Sequence, residues 1–422
     1  MRSIGAALLP FAVALLIAPP VQAAGLEGQG SVAIEGRAFV PDDDDTTDDI
    51  GLALATRLEA GWTPKPFEAA LRLFGRVDAF DEERAIFVPE EAYVGFNLSP
   101  VKMRVGWQLQ NWSATEAFHP ADVINSRNFD SRIENPDKLG EPMVSVQVRV
   151  LWGSVTAFYM PFRVAPHLPG PSSRLSFAPE GVTPGSPVFA GRDRQIGTDL
   201  IAHQFALRLR QTIGDADISL HVVQHQDRAQ PTQVFDRQSM QPRPLYHFVT
   251  QYGGTYQHVL GDFVLKVEAV HREFMYPDLS TRYVLVQREQ IDHSQFAGGL
   301  EYGWSYEGGA DGVVVLEAQV LRTVNGEDDR DLHPFQRDVL LGYRHVFNDI
   351  EGRRLQVGVI FDIEDAPQLL GTASYEQRLS DVWSFNAGLR IVFAPTPEDD
   401  APRGLQRLDG AHELNLTLAR YF

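Results

Sequence analysis

Apolar residues occupy every second position in one segment after another of this sequence. In one such segment, Val101, Met103 and Val105 alternate with Lys102 and Arg104. Successive side chains of a β-strand point to opposite faces, whereas the apolar positions of a helix repeat every three to four residues. The alternation continues almost to the end of the chain. It predicts an all-β protein whose strands each have one apolar and one polar face.

The length of these segments narrows the fold class further. Many of them keep the alternation for about ten residues, which is the length that a tilted strand needs to cross a bilayer. The strands of a soluble β-sandwich, the alternative fold, are shorter, at about five or six residues. Such a sandwich would seldom carry so many arginines at regular positions on its exposed face. We therefore predict an antiparallel transmembrane β-barrel.

The connections between the segments favour the same fold. We count eighteen strands, from residues 31–40 to residues 412–422, and sixteen is the alternative count. Short turns alternate with mostly longer, polar loops, which is typical of bacterial outer-membrane barrels with short periplasmic turns and long extracellular loops. The longer loops are predicted at residues 111–142, 163–199, 226–245, 274–294, 324–337 and 394–411.

The first residues have the features of a secretory signal peptide. Arg2 supplies a basic start, an apolar run follows, and Val21-Gln22-Ala23 fits the rule for cleavage after small residues. We predict a signal peptide at residues 1–23 and the barrel at 24–422, with a transmembrane anchor as the alternative for the first segment. The expected location is the outer membrane of a Gram-negative bacterium. The chain has no cysteine, which excludes disulfides and thiolate metal sites.

Aromatic residues at the ends of the predicted strands test this fold independently. Amphipathic rings favour the level of the lipid headgroups, so a barrel should carry them where its strands leave the bilayer. A packed core would instead scatter them along the strands. Eight aromatic residues lie beside the predicted short turns, and we expect them to form a periplasmic girdle: Trp62, Trp152, Trp304, Trp383, Phe67, Phe263, Tyr306 and Phe347.

The last residues resemble the C-terminal signal of outer-membrane barrels. Leu414, Leu416 and Leu418 alternate towards the terminal aromatic residue Phe422. Arg420 departs from the pattern, because an apolar residue is more usual there. The resemblance implies that the barrel-assembly machinery is a partner and that it recognises Phe422.

The charged residues of the predicted strands point to a polar lumen. The net charge of −19 excludes nucleic acid as a partner, and the loops carry many of the acidic residues. The run at residues 42–49 could hold Ca²⁺, but it lacks the spacing of a calcium loop, so we predict no metal site. The residues predicted to line the pore are Arg57, Arg72, Arg76, Lys102, Arg104, Arg149, Arg208, Arg210, Glu59, Glu68 and Glu91. Further charged residues predicted to face inward include Lys266, Arg272, Arg344, Arg390, Glu268, Glu301, Glu317, Asp362, Glu376 and Glu413.

These inward charges allow two interpretations. They either form ion pairs that hold the wall together or select anionic solutes, because rings of charge set the selectivity of a pore. The acidic loops at the mouth oppose anion selection. We therefore expect a mixed or weakly anion-leaning lumen.

The loop at residues 111–142 is the most informative connection. It is longer than about 12–15 residues, a length at which loops are usually functional or disordered, and it contains apolar residues of the buried type. We expect the loop to fold into the barrel and constrict the pore, with a cap over the mouth as the alternative. The candidate constriction residues are Trp112, His119, Asp122, Asn125, Arg127, Asp130 and Arg132.

The same stretch resembles a group of uncharacterised porin-like barrels and the alginate-export barrels. The matching residues are Gly106, Gln108, Trp112 and Asp122-Val123-Ile124-Asn125. Trp107 stands where those families have arginine, and no glycine follows Trp112. The resemblance covers about 40 residues of the chain, and it implies a pore on the scale of eighteen strands.

The function predicted from these features is a passive, porin-like channel for small hydrophilic solutes. No Gly-x-Ser-x-Gly elbow, His-Glu-x-x-His motif or phosphate-binding glycine loop occurs, so we predict neither an enzyme nor a cofactor. A hydrolase active at the rim and a plugged structural or adhesin barrel are the alternatives. Outer-membrane lipid and lipopolysaccharide are further expected partners, and the oligomeric state stays open between a monomer and a homo-oligomer.

Overall fold

The structure is a computed structural model. It describes residues 22–23, 25–41, 47–176, 184–228, 231–279, 281–286, 290–330, 332–364, 367–397 and 401–422. Nearly all of the predicted signal peptide, part of the acidic run at 42–49 and residues 398–400 lie outside the described residues. The strand Gln22–Ala23 pairs with Leu26 and Glu27.

Eighteen antiparallel strands form a closed barrel, which confirms the predicted fold class and strand count. Each strand pairs with its neighbour along the chain, and the last pairs with the first, with Ile34 opposite Leu418. The strands are β1 Leu26–Phe39, β2 Ile50–Trp62, β3 Phe67–Asp78, β4 Ile86–Leu98, β5 Val101–Gln108, β6 Glu141–Val150, β7 Gly153–Phe162, β8 Ile201–Ile213, β9 Ala216–Gln226, β10 Phe248–Leu260, β11 Phe263–Met275, β12 His293–Ser305, β13 Asp311–Thr323, β14 Arg337–Val346, β15 Arg354–Asp362, β16 Leu369–Arg378, β17 Trp383–Phe393 and β18 Glu413–Tyr421.

The two faces of the strands have the polarity that the alternation predicts. Large apolar side chains such as Leu316 and Leu341 lie exposed on the outer face, and charged side chains such as Glu317 lie buried on the inner face. Closure of the sheet leaves no unpaired strand edge, which is a requirement for β-structure in a bilayer. No helix among the described residues is long and apolar enough to span a membrane.

Short turns and longer loops alternate around the barrel. Four of the connections at one rim have only two residues: 99–100, 151–152, 214–215 and 261–262. The opposite rim carries the long connections, among them residues 109–140 and 163–200. The short-turn rim is the periplasmic end and the long-loop rim the extracellular end, as in other barrels of this class.

Exposed aromatic residues surround the short-turn rim, where the sequence predicts a girdle. Trp62, Trp152, Phe67 and Trp383 are each more than a third exposed at strand ends or in the turns beside them. At the end of β12 the rings of Tyr302, Trp304 and the next turn residue, Tyr306, form a continuous row, with Trp304 also 6.1 Å from Tyr343 of β14. These rings lie at the level where strands leave the bilayer.

The C-terminal residue closes the barrel at its seam. Phe422 exchanges backbone hydrogen bonds of 2.9 and 3.0 Å with Gly30, and its ring covers Gly30 so closely that an added Cβ would lie 2.5 Å from it. Arg420 pairs in register with Val32 and Trp383. The unusual arginine is therefore accommodated at the seam without a break in strand pairing.

A second, smaller sheet lies in the long loops, and the alternation does not predict it. Its five strands come from three different loops, so no single segment shows the pattern of a complete sheet. They are Val188–Ala190, Ile196–Gly197, Thr232–Asp236, Gln241–Tyr246 and Tyr283–Leu285. Val188, Val234, Leu245 and Tyr283 form its buried core.

Candidate functional site

The loop between β5 and β6, residues 109–140, folds into the barrel. Trp112 is 1% exposed, and its ring centroid lies 5.5 Å from Phe158 of β7 and 5.1 Å from His221 of β9. The same cluster includes Ile124 of the loop and Met143 at the start of β6. Trp112 and Ile124 thus pack against one side of the inner wall, and Phe118 and Ile133 belong to a second buried cluster with Phe39 and Leu340. This packing is why the loop does not extend into solvent.

Glu268 of β11 anchors the first half of this loop. Its Oε1 lies 2.6 Å from the amide nitrogen of Ala114 and 3.1 and 2.8 Å from the amide nitrogen and hydroxyl of Thr115. The hydroxyl of Ser113 lies 3.0 Å from the same oxygen, and the amide of Ala121 donates to Oε2 at 2.9 Å. One carboxylate therefore satisfies three backbone amides of the loop, which need an acceptor inside the barrel.

A second carboxylate, Glu317 of β13, holds the adjacent residues. The amides of Glu116 and Ala117 donate to it at 2.6 and 2.9 Å. The Glu116 side chain in turn forms an ion pair of 2.7 Å with Lys266 of β11. The loop is thus tied to the wall at β11 and β13 through both its backbone and its side chains.

Asp130 ties the tip of the loop to a different part of the wall. Its carboxylate receives Arg37 of β1 at 3.2 Å, Arg76 of β3 at 2.8 Å and Arg84 at 3.0 Å. All four side chains are buried. Because β1 and β3 lie in another part of the wall from β11, the loop crosses the lumen between its two anchors.

A polar cavity of 650 Å³ remains between the loop and the wall formed by β1 and β13–β18. Seven arginines and seven carboxylates line it, so the charges of its lining are balanced. The arginines are Arg37, Arg76, Arg84, Arg132, Arg344, Arg354 and Arg390, and the carboxylates are Glu35, Glu116, Asp130, Glu134, Asp137, Glu376 and Glu413.

A smaller cavity of 140 Å³ adjoins the first. Ala117, Arg132 and Glu134 line both cavities, and the aromatic residues Phe118 and Phe335 form part of the walls of the smaller one. Its volume is close to the roughly 150 Å³ of a cavity that accepts one benzene ring. The lining of the smaller cavity is mixed: apolar and aromatic side chains form most of its exposed surface, and charged residues such as Asp122, Arg127 and Arg272 also border it.

The predicted pore-lining residues are distributed over several environments. Arg76 lines the larger cavity, whereas Arg208 lies beneath the ring of Trp112, 5.1 Å from its centroid. Arg149 and Lys102 line a separate cavity of 190 Å³ beside the turn between β4 and β5. Arg210 lies opposite Ser154 of β7 and Ser219 of β9.

The remaining residues of that set form ion pairs or hydrogen bonds along β2–β5. Arg57 lies 2.9 Å from Glu90, and Arg72 lies 3.1 Å from Glu59. The second contact of Arg72 is Glu91 at 3.6 Å. Glu68 receives Arg104 at 2.5 Å and Lys102 at 3.4 Å. These contacts match the interpretation that many inward charges hold the wall together, and the role of these residues in permeation stays a prediction.

The candidate constriction residues also divide into groups. Asp130 and Arg132 line the larger cavity. Asn125 shapes the loop itself, because it accepts from the Gln110 amide at 2.8 Å and donates to two backbone carbonyls at 2.9 Å. Asp122 pairs with Arg127 at 3.3 Å and with Lys138. Trp112 packs on the wall, as described above.

His119 is a neutral histidine within the loop. Its Nδ1 lies 2.5 Å from the hydroxyl of Ser113. Burial, together with the nearby positive charge of Arg127, lowers the pKa of His119 to about 4. His119 also lines the smaller cavity, together with Asp122, Asn125, Arg127 and Arg132.

The anchoring roles of Glu268, Glu317, Arg37 and Arg84 are absent from the sequence predictions. The alternation does place Glu268 and Glu317 on the inner face, but it carries no information on which loop reaches them. Arg84 lies in a short 3-10 helix, Glu82–Arg84, outside any strand pattern. Among the described residues, no group of three or more His, Asp or Glu is arranged to hold a metal ion.

No protein-family model matches the chain, and no curated protein matches its sequence. Solved structures of similar fold do exist. OccK5 (OpdH) of Pseudomonas aeruginosa is 10% identical with a TM-score of 0.52, and OccAB2 of Acinetobacter baumannii is 8% identical with a TM-score of 0.50. In both comparisons the match covers 94% of this chain and 98% of the other.

At sequence identities this low, the similarity shows the fold alone. That fold agrees with the closed sheet, the apolar outer face and the aromatic rim of this chain. A closed barrel with an apolar outer face and an aromatic rim is the form in which strands cross the outer membrane of Gram-negative bacteria. The chain is therefore an outer-membrane β-barrel with a porin-like fold.

Proposed function

We propose that this barrel is a passive channel for small hydrophilic solutes. The observation that carries the proposal is the 650 Å³ polar cavity that remains beside the inward-folded loop. A lumen filled by packed side chains would favour a plugged barrel, whereas a charged, hydrated space favours diffusion of polar solutes. The outer-membrane lipid, lipopolysaccharide and the assembly machinery are the partners that we propose for the barrel.

The charge balance of the cavity favours mixed selectivity. Its seven arginines and seven carboxylates give no net charge to the lining, and charged rings set pore selectivity through their net field. The weak preference for anions that the sequence predicts would then depend on the inward arginines outside this cavity. The acidic residues of the extracellular mouth would oppose that preference.

Single-channel recording tests the proposal. The refolded protein is inserted into a planar bilayer, and conductance and reversal potential are measured across a KCl gradient. We expect discrete conductance steps and a reversal potential near zero, displaced slightly in the direction of anion selectivity. Absence of steps from protein with normal heat-modifiable folding on a gel would contradict a channel. That result would favour a plugged structural or adhesin barrel, or a hydrolase active at the rim.

A further inference from the structure

The charged residues of the larger cavity are neutralised in pairs, with two exceptions. Twelve of the fourteen have an opposite charge within 3.9 Å, the longest pairs being Arg76 with Glu35 and Arg132 with Asp137. The exceptions are Arg344 of β14 and Glu134 of the inward-folded loop, which form no ion pair within the described part of the chain. One unpaired cation and one unpaired anion therefore face the same space.

One carboxylate oxygen of Glu134 receives no hydrogen bond from the described residues. Its Oε2 is buried and has no hydrogen-bond partner among the described residues. A buried carboxylate oxygen without a donor is costly, and such an atom in a native structure usually has a partner supplied by water or a ligand. An ammonium group is suited to this position, because it carries a positive charge and three donors.

Arg344 provides the complementary group on the wall. Its guanidinium can donate two parallel hydrogen bonds to a carboxylate, the geometry that makes arginine the preferred residue for carboxylate recognition. Among the acidic residues of the lining, Glu116 is engaged by Lys266 at 2.7 Å, and Glu376 by Arg354 at 3.7 Å. Arg344 attracts Glu116 electrostatically, but it forms no ion pair or hydrogen bond with an acidic residue of the described chain, so its guanidinium donors are available for a carboxylate from outside the protein.

The smaller cavity supplies a mostly apolar surface beside the same carboxylate, although charged residues such as Arg127 and Arg272 border it as well. Glu134 lines both cavities, and Phe118, Phe129 and Phe335 lie around the smaller one. A solute whose ammonium group contacts Glu134 can therefore place an apolar side chain in a space of 140 Å³. Burial of that side chain would add to the attraction of the two charged groups.

We propose that the channel binds small zwitterionic solutes with an apolar side chain, of the class of apolar amino acids and their short peptides. The ammonium group binds Glu134, the carboxylate binds Arg344, and the side chain enters the smaller cavity. This inference rests on the proposed channel function and deepens it by naming the class of solute.

Block of the ion current by leucine and by the dipeptide leucyl-leucine tests the inference. Recordings are made at about 0.1 M KCl to limit screening. We expect at least one probe to reduce the current of the wild-type channel. E134Q and R344Q should each raise the half-blocking concentration about tenfold or more, as expected for loss of a charged hydrogen bond. R344K, which keeps the charge, should restore part of the block, and glycine should block more weakly than leucine.

The control variants are D349N and R353Q, which remove the charges of an ion pair in the turn between β14 and β15. They should leave the block by leucine unchanged. Equal block of the wild type, E134Q and R344Q, or no block by either probe in a conducting channel, would overturn the inference while the channel function stands. If the wild type does not conduct, calorimetric titration of the same probes into detergent-solubilised protein decides whether binding occurs, because binding that E134Q abolishes would support the site without the channel.

Discussion

The side chain of Glu268 forms an unusual number of contacts with the inward-folded loop at residues 109–140. Five donor atoms of Ser113, Ala114, Thr115 and Ala121 lie within hydrogen-bond distance of its two oxygens. Three of these donors are backbone amides, which need an acceptor where the loop packs inside the barrel, whereas the hydroxyls of Ser113 and Thr115 also have backbone carbonyls within reach. The position of the loop therefore depends on the charge of a residue about 150 positions away in the sequence.

Replacement of Glu268 by glutamine is expected to loosen the loop. The amide keeps one oxygen acceptor, but its NH₂ group faces donors, so the variant should lose about 1–3 kcal/mol of stability. The change in stability is measured by thermal unfolding in detergent, which is monitored through the heat-modifiable migration of the protein on a gel. E59Q is the control, because Glu59 pairs with Arg72 on the wall, away from the loop. An unfolding temperature equal to that of the wild type would show that Glu268 does not hold the loop.

The inward-folded loop is the element that distinguishes this barrel from an empty cylinder. It is fixed at β11 and β13 by Glu268 and Glu317, and at β1 and β3 by Asp130. Anchors on both sides restrict its motion across the lumen. We therefore expect the loop to act as a fixed constriction rather than as a mobile lid.

Deletion of residues 114–139 is expected to raise the single-channel conductance. The deletion removes both sets of anchors together with the chain that crosses the lumen, so the space for ions increases. Recording in a planar bilayer gives the change directly. Replacement of residues 237–240, the turn between Thr232–Asp236 and Gln241–Tyr246 of the smaller sheet, by a two-residue Asn-Gly turn is the control and should leave conductance close to that of the wild type. Unchanged conductance after the deletion of 114–139 would rule out a constriction.

Buried histidines in the loops make the stability of the whole molecule depend on pH. Burial lowers the pKa of His119 to about 4 and that of His333 to about 4, whereas an unfolded histidine titrates near 6.5. Between these values the unfolded chain binds more protons than the folded one, so acidification favours unfolding. The stability from these neutral histidines is present above about pH 6.5 and declines as the pH falls towards 4.

The unfolding temperature is accordingly expected to fall between pH 7.5 and pH 5. H119Q and H333Q should each reduce this fall, because glutamine stays neutral across the range. The measurement is the thermal midpoint of each variant at both pH values. H203Q removes a histidine from the outer surface of β8, so it should keep the wild-type difference. A fall of equal size in H119Q, H333Q and the wild type would contradict the role of these two side chains.

Particular residues show which features of the structure the local alternation of apolar and polar residues predicts. The alternation around Val101 predicts the inner and outer faces of β5, and the short connection at 99–100 predicts the turn before it, since both depend on neighbouring residues alone. The same information places Glu268, Glu317 and Arg344 on the inner face. It does not reveal that Glu268 accepts from the loop, or that Arg344 alone among the cavity arginines stays unpaired in the described chain.

The sequence by itself determined the class of the protein: strands with one apolar face, their number, the alternation of short turns and long loops, and the aromatic rim. Each of these follows from side-chain direction and from contact with lipid or water, which neighbouring residues decide. Only the tertiary structure decided which charges meet inside. Asp130 reaches Arg37 across 93 positions of chain, and no local periodicity encodes that contact, because closure of the barrel and the path of the loop bring the two side chains together.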